Sequence, residues 1–317
     1  MKTVINRVYG LIGISSVMAN WNADFTGRPK SLSNGELYGS DKAIKYSMKK
    51  IWENEGEKVL YIKSYKIDEK KEKGKIQPKG LEERYEQIFS TSKLDKKTPS
   101  KEVLKNLFSA IDVMNFGATF AVENQNISIN GAVQIGQGFN KYEDSNVEIQ
   151  DILSPFRNSK KDDAEASSLG KKIMSDEAHY VYNFSINPNN YNDYIGLVDD
   201  FKGYTKEAYD KFKHAALIGA TALNTNSKSG CENEFAIFIE CKEKSELYLA
   251  NIDKYVFFEK GDKKNIINLE SLSFLNNDKF SDNIDNIEIY YNEYTTEIKH
   301  GLEKAKEYNI FTKEEIK

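Results

Sequence analysis

The chain has little sulfur and little imidazole: two cysteines and three histidines in 317 residues. Two cysteines cannot build a disulfide framework, and Cys231 and Cys241 do not have Cys-x-x-Cys spacing. Cys241 ends the apolar run FAIFIEC and is expected in the core, whereas Cys231 falls in a loop, SKSGCEN. His179, His214 and His300 are scattered, which argues against a side-chain zinc site. Long apolar runs are also missing. The best, residues 215–220, is far short of the roughly 20 residues a membrane helix needs. The opening MKTVINRVYG lacks the apolar centre of a signal peptide, so the cytoplasm is the expected location. There is no Walker loop, no GxGxxG and no GxSxG. The sequence calls for neither cofactor nor metal.

What is present is charge, unevenly placed. The net charge of −4 speaks against a generic nucleic-acid binder. Yet residues 1–106 hold 22 Lys and Arg against 14 Asp and Glu, while residues 107–317 hold 23 against 35. The basic third could face a polyanion while the rest faces solvent or a partner.

Along the chain, a strand is expected at 4–17. An insertion-like segment then runs from about 20 to 100. It opens with NADFTGRPKS and continues into a helix that Ser40 or Asp41 can cap, with Ile44, Ser47, Met48 and Ile51 on one face. KVLYIKSYKI reads as a strand, the lysine-rich DEKKEKGKIQPKG as a loop, and LEERYEQIF as a short helix. TPSKEVLKNLFSAIDVMNFG predicts one helix capped by Ser100. FGATFAV and ISINGAVQI read as two strands of a hairpin. From 137 to 177 the alternation fails over a stretch too long for an ordinary loop. HYVYNFSI, EFAIFIEC and NIEIYYNEY predict strands, and TKEAYDKFKHAALIGATALN a helix with Thr205 as cap. EIKHGLEKAKEY predicts a terminal helix. Two β-α-β units around one sheet is the ferredoxin-like pattern, an α+β fold that RNA-recognition modules share.

The stretches NRVYGLIGISSVMANWNADFTGRPK, LYGSDKAIKYSMKKIW, DVMNFGATFA, INGAVQIGQGFN and SSLGKKIMSDEAHYVYNFSINP occur in this order over most of residues 4–190. As an ordered set they resemble the CRISPR-associated backbone proteins of type I Cascade. That is the seventh Cas family, within the RAMP superfamily, and the resemblance is closest to its subtype I-B branch. The resemblance implies a right-hand shape. The palm, a modified RNA-recognition fold, would take residues 1–19 and 101–243. Inserted fingers would take 20–100, a projecting hairpin thumb 138–178, and residues 244–317 would extend the palm. It implies antiviral defence, with copies assembling into a helical filament along a CRISPR guide RNA (crRNA) and partners that include the target DNA strand and other Cascade subunits. The net charge of −4 is then no obstacle, because many copies sum a few phosphate contacts each.

The expected RNA-binding residues follow. Asn22, Arg28 and Lys30 lie in the first loop, and Lys42, Lys45 and Lys49 recur at helical spacing behind it. Gln134 lies in NGAVQIGQG, where Gly131 and Ala132 would let a base or backbone approach. Arg157, Lys160, Lys171 and Lys172 are the thumb cations. Each basic residue has a plainer reading as a solvated surface charge. Asp24 poses the one catalytic question. In related type III backbone proteins a loop aspartate cuts target RNA with a divalent metal, so a metal-dependent ribonuclease acting through Asp24 is the rival function. Asp24 has no sequence neighbour fit to share a metal or a proton. Its expected role is to accept hydrogen bonds from loop N–H groups and hold Arg28 in place.

Overall fold

A computed structural model describes residues 2–68, 74–91, 93–123, 125–153 and 169–317. In chain order its elements are β1 (Val8–Ala19), β2 (Tyr38–Gly39), α1 (Asp41–Asn54), β3 (Tyr65–Asp68), β4 (Lys75–Pro78), α2 (Leu81–Phe89), α3 (Ser100–Phe108) and α4 (Ile111–Phe116). Then come β5 (Gly117–Val122), β6 (Gln125–Asn130), β7 (Val133–Asn140), β8 (Val147–Leu153), β9 (Leu169–Ile186), α5 (Lys206–Ile218) and β10 (Cys231–Cys241). The remainder is β11 (Phe257–Glu259), β12 (Asn265–Asn268), the one-turn helix α6 (Asp278–Ser281), β13 (Ile284–Tyr291), β14 (Thr296–Lys299) and β15 (Ala305–Asn309), with short 3-10 turns between.

The result is a mixed α+β fold around one sheet of order β15-β13-β10-β1-β9-β7-β2, with β8 paired to the far end of β9. β1 lies at its centre, antiparallel to both β9 and β10. It is buried on both faces because both are covered. Val8, Ile12 and Ile14 enter the core shared with α1, α4 and α5. Tyr9 and Leu11 enter a second core under the C-terminal segment. Gly10 and Gly13 are required here. A β-carbon on Gly10 would stand 2.0 Å from the Ile237 carbonyl oxygen, and one on Gly13 would stand 2.2 Å from the Phe235 ring. The missing side chains are the space into which Phe184 and Phe235 fold, and each such ring contributes about 1.5–3 kcal/mol by burial.

Two helix caps form as the sequence predicts. Ser40 Oγ accepts from the Ala43 N–H and Thr205 Oγ1 from the Ala208 N–H. Other expectations need correction. The first strand starts at Val8, not at residue 4. Of KVLYIKSYKI only the last three residues are strand, as the start of β3, because Asp112 captures the Leu60 and Tyr61 N–H groups and holds that stretch as a loop. The long helix breaks into α3 and α4 at Ser109 and Ala110, and Pro99 rather than Ser100 is its cap residue. ISINGAVQI is not one hairpin strand. It divides at Gly131: β6 pairs with β5, and β7 crosses to pair with β9. The region 137–177 is more regular than its composition suggests, since β8 pairs with residues 169–175 of β9. The terminal helix does not exist. Its residues form β14 and β15, where β12 and β13 offer strand edges.

The C-terminal sheet β11-β12-β14 is joined to the main sheet by a charge cluster centred on buried His179. His179, 2% exposed, contacts Glu234 through Nδ1 (2.7 Å) and Glu177 through Nε2 (3.0 Å). Lys260 bonds both oxygens of Glu177, and Phe258 of β11 stacks on the imidazole at 3.8 Å.

Candidate nucleic-acid interface

The loop that leaves β1 is built by its own side chains. Trp21 is buried and donates from Nε1 to the Tyr182 hydroxyl at 2.6 Å. Asn22 takes the Lys30 N–H on its carbonyl and the Ser40 N–H on Oδ1, tying both arms of the loop to the start of α1. Asp24 Oδ1 accepts three hydrogen bonds, from the Thr26 N–H (2.7 Å), Thr26 Oγ1 (2.7 Å) and the Arg28 N–H (3.0 Å). The Thr26 hydroxyl is the main reason its carboxyl titrates below the usual aspartate range. These bonds close a turn completed by Gly27 at φ +83°, a conformation that favours glycine. Asp24 therefore fastens the loop, and Arg28 is held through its backbone. The same turn leaves Phe25 at the apex, wholly exposed.

Between this loop, the first turn of α1 and the segment at Leu223 and Lys228 runs an open groove of about 560 Å³. Asn22, Lys30 and Lys42 line it, as do the aromatic rings of Phe25, Tyr38 and Tyr46. Cations beside aromatic rings can hold a phosphate backbone and stack a base. Lys228 lines it too, but its ammonium serves the fold, donating to the carbonyls of Asn20 (2.5 Å) and Trp21 (2.6 Å). Burial lowers its pKa. Sequence reasoning overlooked Phe25, Tyr38, Tyr46 and Lys228. The signal for Phe25 was available: in Asp-Phe-Thr the aspartate binds Thr26, which turns the intervening residue outward. Tyr46 follows Lys42 by one helical turn, on the exposed face of α1.

The other expected residues divide. Arg28 is exposed on the same loop but does not line the groove. Lys45 is half-buried, paired with Asp41 at 3.1 Å and lying 5.4 Å over the Phe116 ring. Lys49 points inward, to the Tyr61 carbonyl (3.2 Å) and to buried Asp112 (3.8 Å), and burial lowers its pKa. It is committed to the fold. Gln134 lies away from the groove and is exposed on β7, its amide donating to the Gly131 carbonyl at 2.8 Å. The room at Gly131 is already taken by the chain itself, since a β-carbon there would meet the Phe116 carbonyl carbon at 2.2 Å. Lys171 and Lys172 stand on β9 opposite Asp151 and Gln150 of β8. Arg157 and Lys160 lie outside the described residues.

A larger cavity, about 820 Å³, opens between residues 34–37, 140–145 and 254–260. Lysines 141, 254 and 260 share its wall with Glu36, Glu143 and Asp144, so it has no dominant sign of charge. Among the described residues no group of three or more His, Cys, Asp or Glu is placed to hold a metal ion, and no helix is long and apolar enough to cross a membrane.

No curated protein matches the chain. Among solved structures it is similar to a chain of a "CRISPR RNA-guided surveillance complex, pre-nicking", with TM-score 0.55 and 11% identity over 93% of this chain and 96% of that one. A chain of another "CRISPR RNA-guided surveillance complex" aligns with TM-score 0.47 and 13% identity over 90% and 91%. At such identities the first likeness is one of fold. The sequence itself carries the assignment: a family model matches residues 6–290, nearly the whole chain, and the chain belongs to the family of the CRISPR-associated protein Cas7.

Proposed function

We propose that this chain is a crRNA-binding backbone subunit of a type I CRISPR interference complex, many copies of which assemble along one guide RNA. The family assignment supports the class of function. The observation that carries it to particular residues is the groove beside the Asp24-fastened loop, whose lining includes Lys30, Lys42, Phe25 and Tyr46. In this reading the two lysines hold successive phosphates and Phe25 stacks a base. Contacts to backbone and to ring faces carry no sequence information, as a subunit serving many guides requires. The main sheet with α5 acts as an RNA-recognition-like palm. Residues 20–100 act as fingers, and the β8–β9 hairpin, with Lys171 and Lys172, acts as a thumb. Asp24 binds no reacting group. Its one hydrogen-bonded oxygen is spent on the loop, and the subunit holds RNA without cutting it.

Phe25→Ala tests the groove. Base–aromatic stacking contributes about 1–3 kcal/mol, so affinity for single-stranded RNA should fall about 5- to 150-fold in a fluorescence anisotropy titration. The slope of affinity against salt should not change, because no charge is removed. Unchanged affinity would remove Phe25 and this groove from the RNA path.

A further inference from the structure

The tip of the groove loop, residues 24–28, is tied to the rest of the chain by one side chain. The three bonds to Asp24 Oδ1 stay within the tip. So do the bonds from the Asp24 N–H to the Arg28 carbonyl and from the Gly27 N–H to the Asp24 carbonyl. Among the described residues a single hydrogen bond leaves the tip: Asn20 Nδ2 donates to the Gly27 carbonyl at 3.0 Å. The same nitrogen donates to the Ile173 carbonyl of β9 at 3.1 Å. β1 pairs with β9 only as far as Ala19 opposite Ser175. The Asn20 amide thus carries the link two residues further along β9, toward Lys171 and Lys172, and passes it to the tip that bears Phe25.

The junction around Asn20 holds without this side chain. Its main chain is gripped by the segment before β10: the Asn20 N–H donates to the Ser227 carbonyl at 2.9 Å, and its carbonyl accepts from the Lys228 ammonium at 2.5 Å. The ends of β1 and β9 are tied separately, by Ser175 Oγ donating to the Ala19 carbonyl at 3.0 Å. For plain packing an asparagine is a poor choice here. Asn20 is 4% exposed, and its Oδ1 is buried with no hydrogen-bond partner among the described residues. A buried acceptor left unpaired weighs against folding. Turning the amide over would only set Oδ1 against two carbonyls. An apolar residue of the same size would avoid that penalty and would release Gly27.

We propose that Asn20 is a positioning residue for the RNA groove: by sharing one amide between Ile173 and Gly27 it holds the Phe25 tip in place against β9. The inference rests on the RNA-binding reading above and deepens it. Phe25 is wholly exposed, so no packing of its own ring fixes where it stands. Its place relative to Lys30 and Lys42 is set by the tip, and the tip is held by Asn20. Asn20 does not line the groove, so it acts through the loop and not by touching RNA.

A double-mutant cycle in the full chain tests it, combining Phe25→Ala with Asn20→Leu, which keeps the volume and removes both donors. The probe is a fluorescein-labelled oligouridine, read by anisotropy well below the thermal unfolding of every variant. Asn20→Ala takes the place of the leucine variant should that one not fold. Asn20→Leu should weaken binding about 5-fold or more and leave the slope against salt at the wild-type value, because stacking is lost and no charge is. Independent positions multiply their costs to within about 2-fold. These two should not: Phe25→Ala should cost several-fold less in Asn20→Leu than in the wild type, because a ring on a released tip has little stacking left to lose. A merely structural asparagine would lower the unfolding temperature and leave the cost of Phe25→Ala as it was. That result, or wild-type affinity in Asn20→Leu, would overturn the positioning role and leave the groove standing. If Phe25→Ala costs nothing in the wild type, the groove reading fails and the positioning role falls with it.

Discussion

Asp112→Ala should be among the most damaging single changes near the segment that bears the groove. The carboxylate is 1% exposed and accepts from the Leu60 N–H at 2.9 Å and the Tyr61 N–H at 2.8 Å, with the Lys49 ammonium 3.8 Å away. Alanine orphans two backbone donors and a mostly buried cation together. An unsatisfied buried donor costs about 1–3 kcal/mol, and removing one partner of a buried pair typically costs about 3–5 kcal/mol. Tyr61 is only half-buried, and Lys49 keeps the Tyr61 carbonyl, so about 3–4 kcal/mol is expected. Urea denaturation should show the midpoint falling with the slope unchanged. Asp112→Asn, which retains an acceptor, should be milder. Lys49→Met should lower stability yet leave the salt dependence of RNA affinity as it was, because this ammonium faces Asp112. A destabilisation below about 1 kcal/mol for Asp112→Ala, the range of ordinary surface changes, would refute the reasoning.

Gly131→Ala should destabilise by about 1–3 kcal/mol or more, read by thermal unfolding, because its β-carbon would strike the Phe116 backbone at 2.2 Å. The His179 cluster should give stability a pH profile. Burial opposes charge on His179, but Glu234 and Glu177 outweigh it and raise its pKa above 6.5. Burial likewise opposes charge on Glu177, yet Lys260 and His179 hold its pKa below 4.5. The histidine's contribution is complete below 6.5 and is lost as pH rises through its raised value, whereas that of Glu177 is complete above 4.5 and is lost as pH falls through its lowered value. Stability from the cluster should therefore be greatest between those limits, and His179→Gln should flatten the alkaline limb in denaturation at a series of pH values. Asp24→Ala should loosen its loop and lower RNA affinity modestly. Guide-loaded wild type given complementary RNA with magnesium or manganese should cut nothing, and cleavage that vanished in Asp24→Ala would move the protein to the nuclease branch of its superfamily.

Local rules carried much of the fold. The caps at Ser40 and Thr205, the amphipathic stripe of α1 and the alternation of HYVYNFSI are short-range signals, and all appear in the structure. The failures lie where distant partners decide. EIKHGLEKAKEY has helical spacing, but β12 and β13 supply strand edges that outweigh it. A lysine every three or four residues on α1 reads as a basic stripe, and one-dimensional spacing cannot reveal that Asp112 waits behind Lys49. The fastening role of Asp24 was legible because its partners are two and four residues away. The opposition of the Phe25 loop to Lys42 and Tyr46 across the groove is a property of the fold, which a linear reading does not contain.

The most direct test of the central claim is the salt dependence of single-stranded RNA affinity for the wild type, Lys30→Ala, Lys42→Ala and the double variant. Removing one lysine–phosphate interaction should reduce the slope of log affinity against log salt by about 0.7, so the slope of the double variant should be shallower by about 1.4 while that of Lys49→Met stays at the wild-type value. Equal slopes for the wild type and all three groove variants, or an affinity indifferent to salt, would contradict the assignment of this groove as the track of the guide RNA.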